Sequence, residues 1–167
     1  MSDLSRVDIE VFSHAIDQYF KQTTHEPAII EAAYLADNAQ HTPPTYGFTG
    51  VINVSAKYVG AIYFSAPSAM MRHVLTSMKE NNQCEENLLD AVGEIANTIS
   101  GNARKHFGEH MEISVPEKIV GYPSALNKPS RDYPYIILIK WKHTQHPLSW
   151  ISKNYNNPFT TSWNLGF

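Results

Sequence analysis

Apolar residues recur at two different spacings along this chain of 167 residues, and the spacing divides it into helices and strands. Between residues 6 and 21, Ile9, Phe12, Ile16, Tyr19 and Phe20 share one face at helical period. Ser5 or Asp8 is the candidate N-cap, and Gln22-Thr23-Thr24 followed by Pro27 is expected to end the helix. Residues 28 to 36, rich in Ile, Ala and Tyr, read as a strand, and His41-Thr42-Pro43-Pro44 marks a loop because proline cannot join a ladder. Tyr46 to Val54 and Tyr58 to Phe64 carry apolar residues at β spacing around Ser55-Ala56-Lys57, which predicts a hairpin. Pro67 suits the first turn of a helix running to about Lys79, with Met70, Met71, Val74, Leu75 and Met78 inward.

The longest periodic stretch runs from Glu86 to Phe107. Leu88, Val92, Ile95, Ala96, Ile99, Ala103 and Phe107 form its apolar stripe, at about 100° per residue. Asn87, Asp90, Glu94, Asn97, Gly101 and Arg104 form a second stripe nearly opposite, and Gly108 suits the C′ position that ends the helix. Glu112 to Val120 reads as a strand in which Pro116 requires an edge, a bulge or a bend. A loop with Pro123 and Pro129 leads to Tyr133–Lys142, an apolar run expected to be buried on both faces. From Thr144 the pattern mixes Trp, Tyr and Phe with Pro and Asn, leaving open a strand near residues 148–152 or a docked tail. This order of elements predicts an α+β fold: a mainly antiparallel sheet with helices packed on one face.

Composition narrows the class. With 43% apolar and 17% charged residues the chain reads as one globular domain, residues 144–167 forming a C-terminal extension. The densest apolar run, Ile136 to Ile139, falls far short of the ~20 residues that span a bilayer. The polar start, with Asp3, Arg6, Asp8 and Glu10, is no signal peptide. The single Cys84 excludes an internal disulfide framework and fits a reducing cytosol, so a cytoplasmic protein is expected. A net charge of −3 argues against nonspecific nucleic-acid binding. His106 with His110, and His143 with His146, lack the further spaced ligand of a zinc site, so no metal is expected. Neither a serine-hydrolase elbow nor a P-loop occurs.

What remains is the second stripe of the long helix. Glu94 and Asn97 are three residues apart and project together, flanked by Gly93 and Gly101. Each glycine costs about 1 kcal/mol against alanine inside a helix, which suggests that something approaches the backbone closely. On spacing alone, a solvated face with glycines packed against a neighbouring element accounts for the pattern better, because a single Glu-x-x-Asn is very common. The wider string is more specific. Asp90-x-x-x-Glu94-x-x-Asn97, within Gly93-Glu94-Ile95-Ala96-Asn97 and followed by Gly101-Asn102-Ala103, resembles the active helix of the CheX/CheC/FliY chemotaxis phosphatases. Pro116 matches that family's downstream proline. The resemblance is strongest over residues 85–121, looser over 5–143, and the single motif is similar to CheX rather than to the two-site CheC.

The resemblance implies a CheC-like fold and hydrolysis of the aspartyl phosphate of a CheY-like response regulator. Asn97 would orient the attacking water and Glu94 would pair with the regulator's active-site lysine. Asn87 and Asp90 would be secondary docking contacts, and Gly93 and Gly101 would allow close approach. It further implies no cofactor of the chain's own, Mg²⁺ on the regulator, and a homodimer made by joining sheets. A non-catalytic module of the same fold, binding a regulator or a flagellar-switch partner, is the alternative from another class; a small-ligand sensor is a third.

Overall fold

A computed structural model of the chain describes residues 6–35, 46–55, 59–121, 135–142 and 148–153. The first helix, α1 (Arg6–Thr24), turns Phe12, Ala15, Ile16, Tyr19 and Phe20 inward. It runs past residue 21, where the sequence suggested a break. The buried Thr24 hydroxyl donates to the Phe20 carbonyl at 2.6 Å and so continues the last turn. The stop comes one residue later, at His25, whose φ of 61° leaves the helical region. Asp8 lies inside the first turn, where its charge opposes the helix dipole, and is not the cap. Ser5, the other candidate, lies outside the described residues.

Strands β1 (Ile29–Leu35), β2 (Phe48–Ser55) and β3 (Val59–Ala66) follow, the last two paired antiparallel over their whole length. Helix α2 (Ser68–Ser77) buries Met70, Met71, Val74 and Leu75. Pro67 is its N-cap rather than part of its first turn, with an extended ψ of 152°. Met78, expected inward, is 48% exposed. It is the C-cap, and Lys79 at φ 63° turns the chain away before another helical turn can bring residue 78 onto the core.

Helix α3 (Glu85–Phe107) is the long helix of the sequence pattern. Its apolar stripe is fully buried from Leu88 to Ala103, and Phe107 is half-buried against the Phe12 ring at 5.7 Å. Gly108, at φ 97°, closes it by donating to the Arg104 carbonyl at 2.9 Å. That stop places His106 on the helix and His110 beyond it, so the two do not share a helical face.

After α3 come β4 (Glu112–Ile113), β5 (Glu117–Val120), β6 (Tyr135–Lys140) and β7 (Leu148–Lys153). Among the described residues these seven strands form one sheet in the order β1-β6-β7-β3-β2-β4, with β5 beside β4 on the same edge of β2. Every pairing is antiparallel. Part of the stretch that resisted assignment is therefore the strand β7, inserted between β6 and β3. Residues 154–167, including Tyr155, Phe159, Trp163 and Phe167, lie outside the described residues. So do the hairpin turn at 56–58, the proline loops, and His143 and His146.

Alternate residues of the central strands divide two ways. Phe48, Ile52, Ile62, Phe64, Ile137, Ile139 and Trp141 join the side chains of α1, α2 and α3 in one core. Val51, Ala61, Tyr63 and Ile136 form a second, smaller buried cluster. The sheet thus carries its described helices on one face, as expected. Trp141, 1% exposed, ties α1 to the sheet: its ring lies 5.3 Å from that of Phe20, and its Nε1–H donates to the Glu26 carbonyl at 3.2 Å.

Candidate functional site

The site is where α3 crosses the edge made by β4 and β5. The crossing is close because Gly50 in β2 has no side chain. A Cβ there would lie 2.5 Å from the Val92 carbonyl oxygen and 3.0 Å from the Ala96 Cβ. An isolated strand glycine often marks such an approach, and Gly50 within the apolar run of β2 is the signal in the sequence for this one.

Pro116 then decides which residue of the edge strand faces α3. Val54 pairs with Ile113, and Val51 pairs with Glu117. Residues 114–116 therefore oppose only Ile52 and Asn53, which makes a bulge of one extra residue. Proline, lacking an N–H, is tolerated at such a break. Ser114 holds the near side, its N–H donating to the Asn53 carbonyl and its hydroxyl accepting from the Asn53 N–H, both at 2.9 Å. Val115 is thrown outward and is 85% exposed. One extra residue also reverses the alternation of side chains. Ile113 before the bulge and Lys118 after it both face the helix side, Lys118 standing opposite Gly50. Without the bulge Glu117 would have taken that place, against an acidic helix face.

Lys118 lies across the helix. Its Nζ donates to Asp90 Oδ1 at 2.5 Å, and its Cγ and Cδ would lie 3.0 Å from a Cβ built on Gly93. Pro116 covers the other side of Gly93 at 3.4 Å. The bond to Asp90 and the Asp90 charge, with smaller contributions from Glu86 and Glu94, raise the Lys118 pKa above that of a free lysine. The room at Gly93 is thus used by the chain's own β5.

Asp90, Gly93, Glu94, Val115, Pro116 and Lys118 together line a shallow groove of about 430 Å³. Of the residues singled out in the sequence, the helix brings Asn87, Asp90, Glu94, Asn97 and Gly101 onto one side, but their polar groups differ in availability. Asn87 Nδ2 donates to the Asn82 carbonyl at 2.9 Å and so fastens the turn before α3. Asp90 is held by Lys118. Glu94 is exposed and Asn97 half-buried, and among the described residues neither makes a hydrogen bond or ion pair. Glu94 does act at longer range: its charge adds to burial in raising the Tyr19 hydroxyl to about 12, against the lowering effect of Thr23. At Gly101 nothing lies within 4 Å of where a Cβ would stand.

A free carboxylate and a free amide on adjacent positions of one helix face can do two things. The carboxylate can accept a partner's ammonium group. The amide can accept a hydrogen bond from water while donating another. Among the described residues no three His, Cys, Asp or Glu side chains come together to hold a metal ion. No described helix is long and apolar enough to cross a membrane.

The fold is that of CheC-like chemotaxis proteins. The CheX protein of Desulfovibrio desulfuricans superposes with a TM-score of 0.74 at 19% identity, over 87% of this chain and 99% of that one. The CheX protein of Vibrio vulnificus does so at 0.73 and 15%, over 89% and 99%. CheX in the CheX–CheY–BeF₃–Mg²⁺ complex of Borrelia burgdorferi gives 0.69 and 17%, over 87% and 97%. The chain itself belongs to the CheX family, since the model of that family, described as chemotaxis phosphatase CheX, matches residues 48–140, more than half its length. No curated protein matches it. The matched region contains Asp90, Glu94, Asn97 and Pro116.

Proposed function

We propose that this protein stimulates hydrolysis of the aspartyl phosphate on a CheY-like response regulator. The observation that carries the reading is the unengaged pair on α3, the exposed Glu94 carboxylate and the Asn97 amide, in the string whose sequence resembles the family's active helix. That the Borrelia burgdorferi relative was solved with CheY, BeF₃ and Mg²⁺ supports a regulator as the partner.

The chemistry needs little from the phosphatase. An aspartyl phosphate is an acyl phosphate and is already activated. The regulator would supply Mg²⁺ and much of the charge stabilisation, so this chain needs no cofactor of its own. Glu94 pairs with the regulator's active-site lysine by a charge-assisted hydrogen bond and fixes how the surfaces meet. Asn97 then reaches the phosphoryl group. Its Oδ1 accepts from a water, its Nδ2 donates to a neighbouring oxygen, and the water is held in line with the phosphorus. Gly101 leaves the helix surface low for the incoming regulator. Asn87 and Asp90 border the docked surface, their polar groups engaged within the chain. A homodimer joined at a sheet edge and work in the cytoplasm belong to the same proposal.

Asn97→Ala tests it. Loss of the water-holding amide is expected to reduce stimulated dephosphorylation by about a hundredfold or more, because in-line attack tolerates little misplacement. The fold should be unaffected, since the amide bonds to no described residue. Equal rates of regulator phosphate loss with wild-type and variant protein would sink the assignment. Tight binding to the phosphorylated regulator without turnover would instead identify a docking module.

A further inference from the structure

A lysine brought by a partner meets three carboxylates on α3, not one. Glu86, Asp90 and Glu94 are spaced four residues apart and all stand exposed. Successive members of such a row are a little more than one helical turn, or about 6 Å, apart. A partner ammonium that chose Asp90 over Glu94 would carry its phosphoryl group away from Asn97 by a comparable distance. Placement of a water for in-line attack fails over errors of about 1 Å. The acidic stripe therefore offers a wrong register nearly as attractive as the right one.

Lys118 bears on this choice. The bulge at Pro116 turns it onto the helix side, and Gly93 gives its stem a bed against α3. Its ammonium ends on Asp90 Oδ1. We propose that Lys118 is a positioning residue: by occupying Asp90 it leaves Glu94 as the carboxylate beside Asn97 open to a partner's ammonium, and so sets the docking register. The inference rests on the regulator-phosphatase reading above. It assigns Lys118 no contact with the phosphoryl group, and it gives Asp90 a role inside the chain. The partner it selects presents a lysine beside a phosphorylated carboxylate at fixed separation.

The test is a charge-removal and rescue series read as phosphate loss from a phosphorylated CheY-like regulator, at limiting and saturating regulator. Lys118→Met keeps the stem over Gly93 and removes the charge. It is expected to lower turnover at saturation by about fivefold, the extent to which an exposed ion pair can bias a population, and to tighten apparent regulator affinity by a similar factor, leaving the rate at limiting regulator nearly unchanged. Adding Asp90→Asn removes the competing carboxylate, and Lys118→Met/Asp90→Asn is expected to recover most of the lost turnover. Thermal unfolding of each variant accompanies the rates. Unchanged turnover in Lys118→Met overturns the inference. So does a loss that persists in the double variant, which would mean that Lys118 itself touches the phosphoryl group. A wild-type protein that gives no stimulation on any regulator overturns the phosphatase reading and this inference with it; the other two outcomes overturn the inference alone.

Discussion

Gly50→Ala is expected to destabilise the protein although it adds only one methyl group to a strand. The new Cβ would lie 2.5 Å from the Val92 carbonyl oxygen, 3.1 Å from its carbon and 3.0 Å from the Ala96 Cβ. Ordinary contact between such atoms needs about 3.5 Å, so α3 and β2 must separate by most of an ångström. A side chain could rotate away, but a carbonyl in the middle of a helix cannot. Lifting α3 loosens Leu88, Val92, Ile95, Ala96, Ile99 and Ala103 together, all of them buried beneath it. A gap of about 0.5–1 Å already forfeits a quarter to a half of each contact's attraction. Overpacking of this kind costs about 3 kcal/mol at the upper end of its usual range. Against it stands a gain of about 0.4–1 kcal/mol from restricting the unfolded chain. A net loss of about 2 kcal/mol follows, and for a domain of this size a melting point lower by about 4–8 °C. Thermal and urea unfolding followed by circular dichroism measure it. A variant as stable as wild type would show that the helix–sheet separation is not set at Gly50. Because Lys118 pairs across from Gly50, dephosphorylation should fall as well.

Two further outcomes are expected. Gly101→Ala should behave oppositely: with nothing within 4 Å of the new Cβ, it should gain up to about 1 kcal/mol in helix propensity while lowering regulator turnover. Higher stability with unchanged turnover would remove Gly101 from the docked surface. Burial holds Tyr19 and Tyr63 at about 12, above the ordinary 10.0. The unfolded state therefore releases these protons first, and stability present below pH 10 is lost as pH rises towards 12. Unfolding titrations across that window should show the fall, and Tyr19→Phe with Tyr63→Phe should flatten it by a few kcal/mol in all. An unaltered slope in the Phe variants would refute the assignment.

Local and periodic features were legible in the sequence by itself. Apolar spacing found α1, α2, α3 and the strands up to β6, with β4 and β5 read as one and β7 left open, because a one-faced element must repeat its buried residues at its own period. Gly108 marked the end of α3 because glycine alone takes a positive φ without strain, and Pro116 marked an irregular edge because proline has no N–H to give a ladder. The Glu94–Asn97 pair was visible because both residues lie on one helix. Errors fell where a local signal competed with a neighbour: Thr24 capped back onto Phe20, and Met78 fell beyond the last helical turn. What only the tertiary structure decided lies between elements. The placement of β7 inside the sheet depends on its pairing with β6 on one side and, across a long stretch of chain, with β3 on the other. The direction of Lys118 depends on how many residues fit between two pairings of β2, a count that no single strand contains. Asp90 and Glu94 look alike on the helix, and only the lysine arriving from β5 distinguishes them.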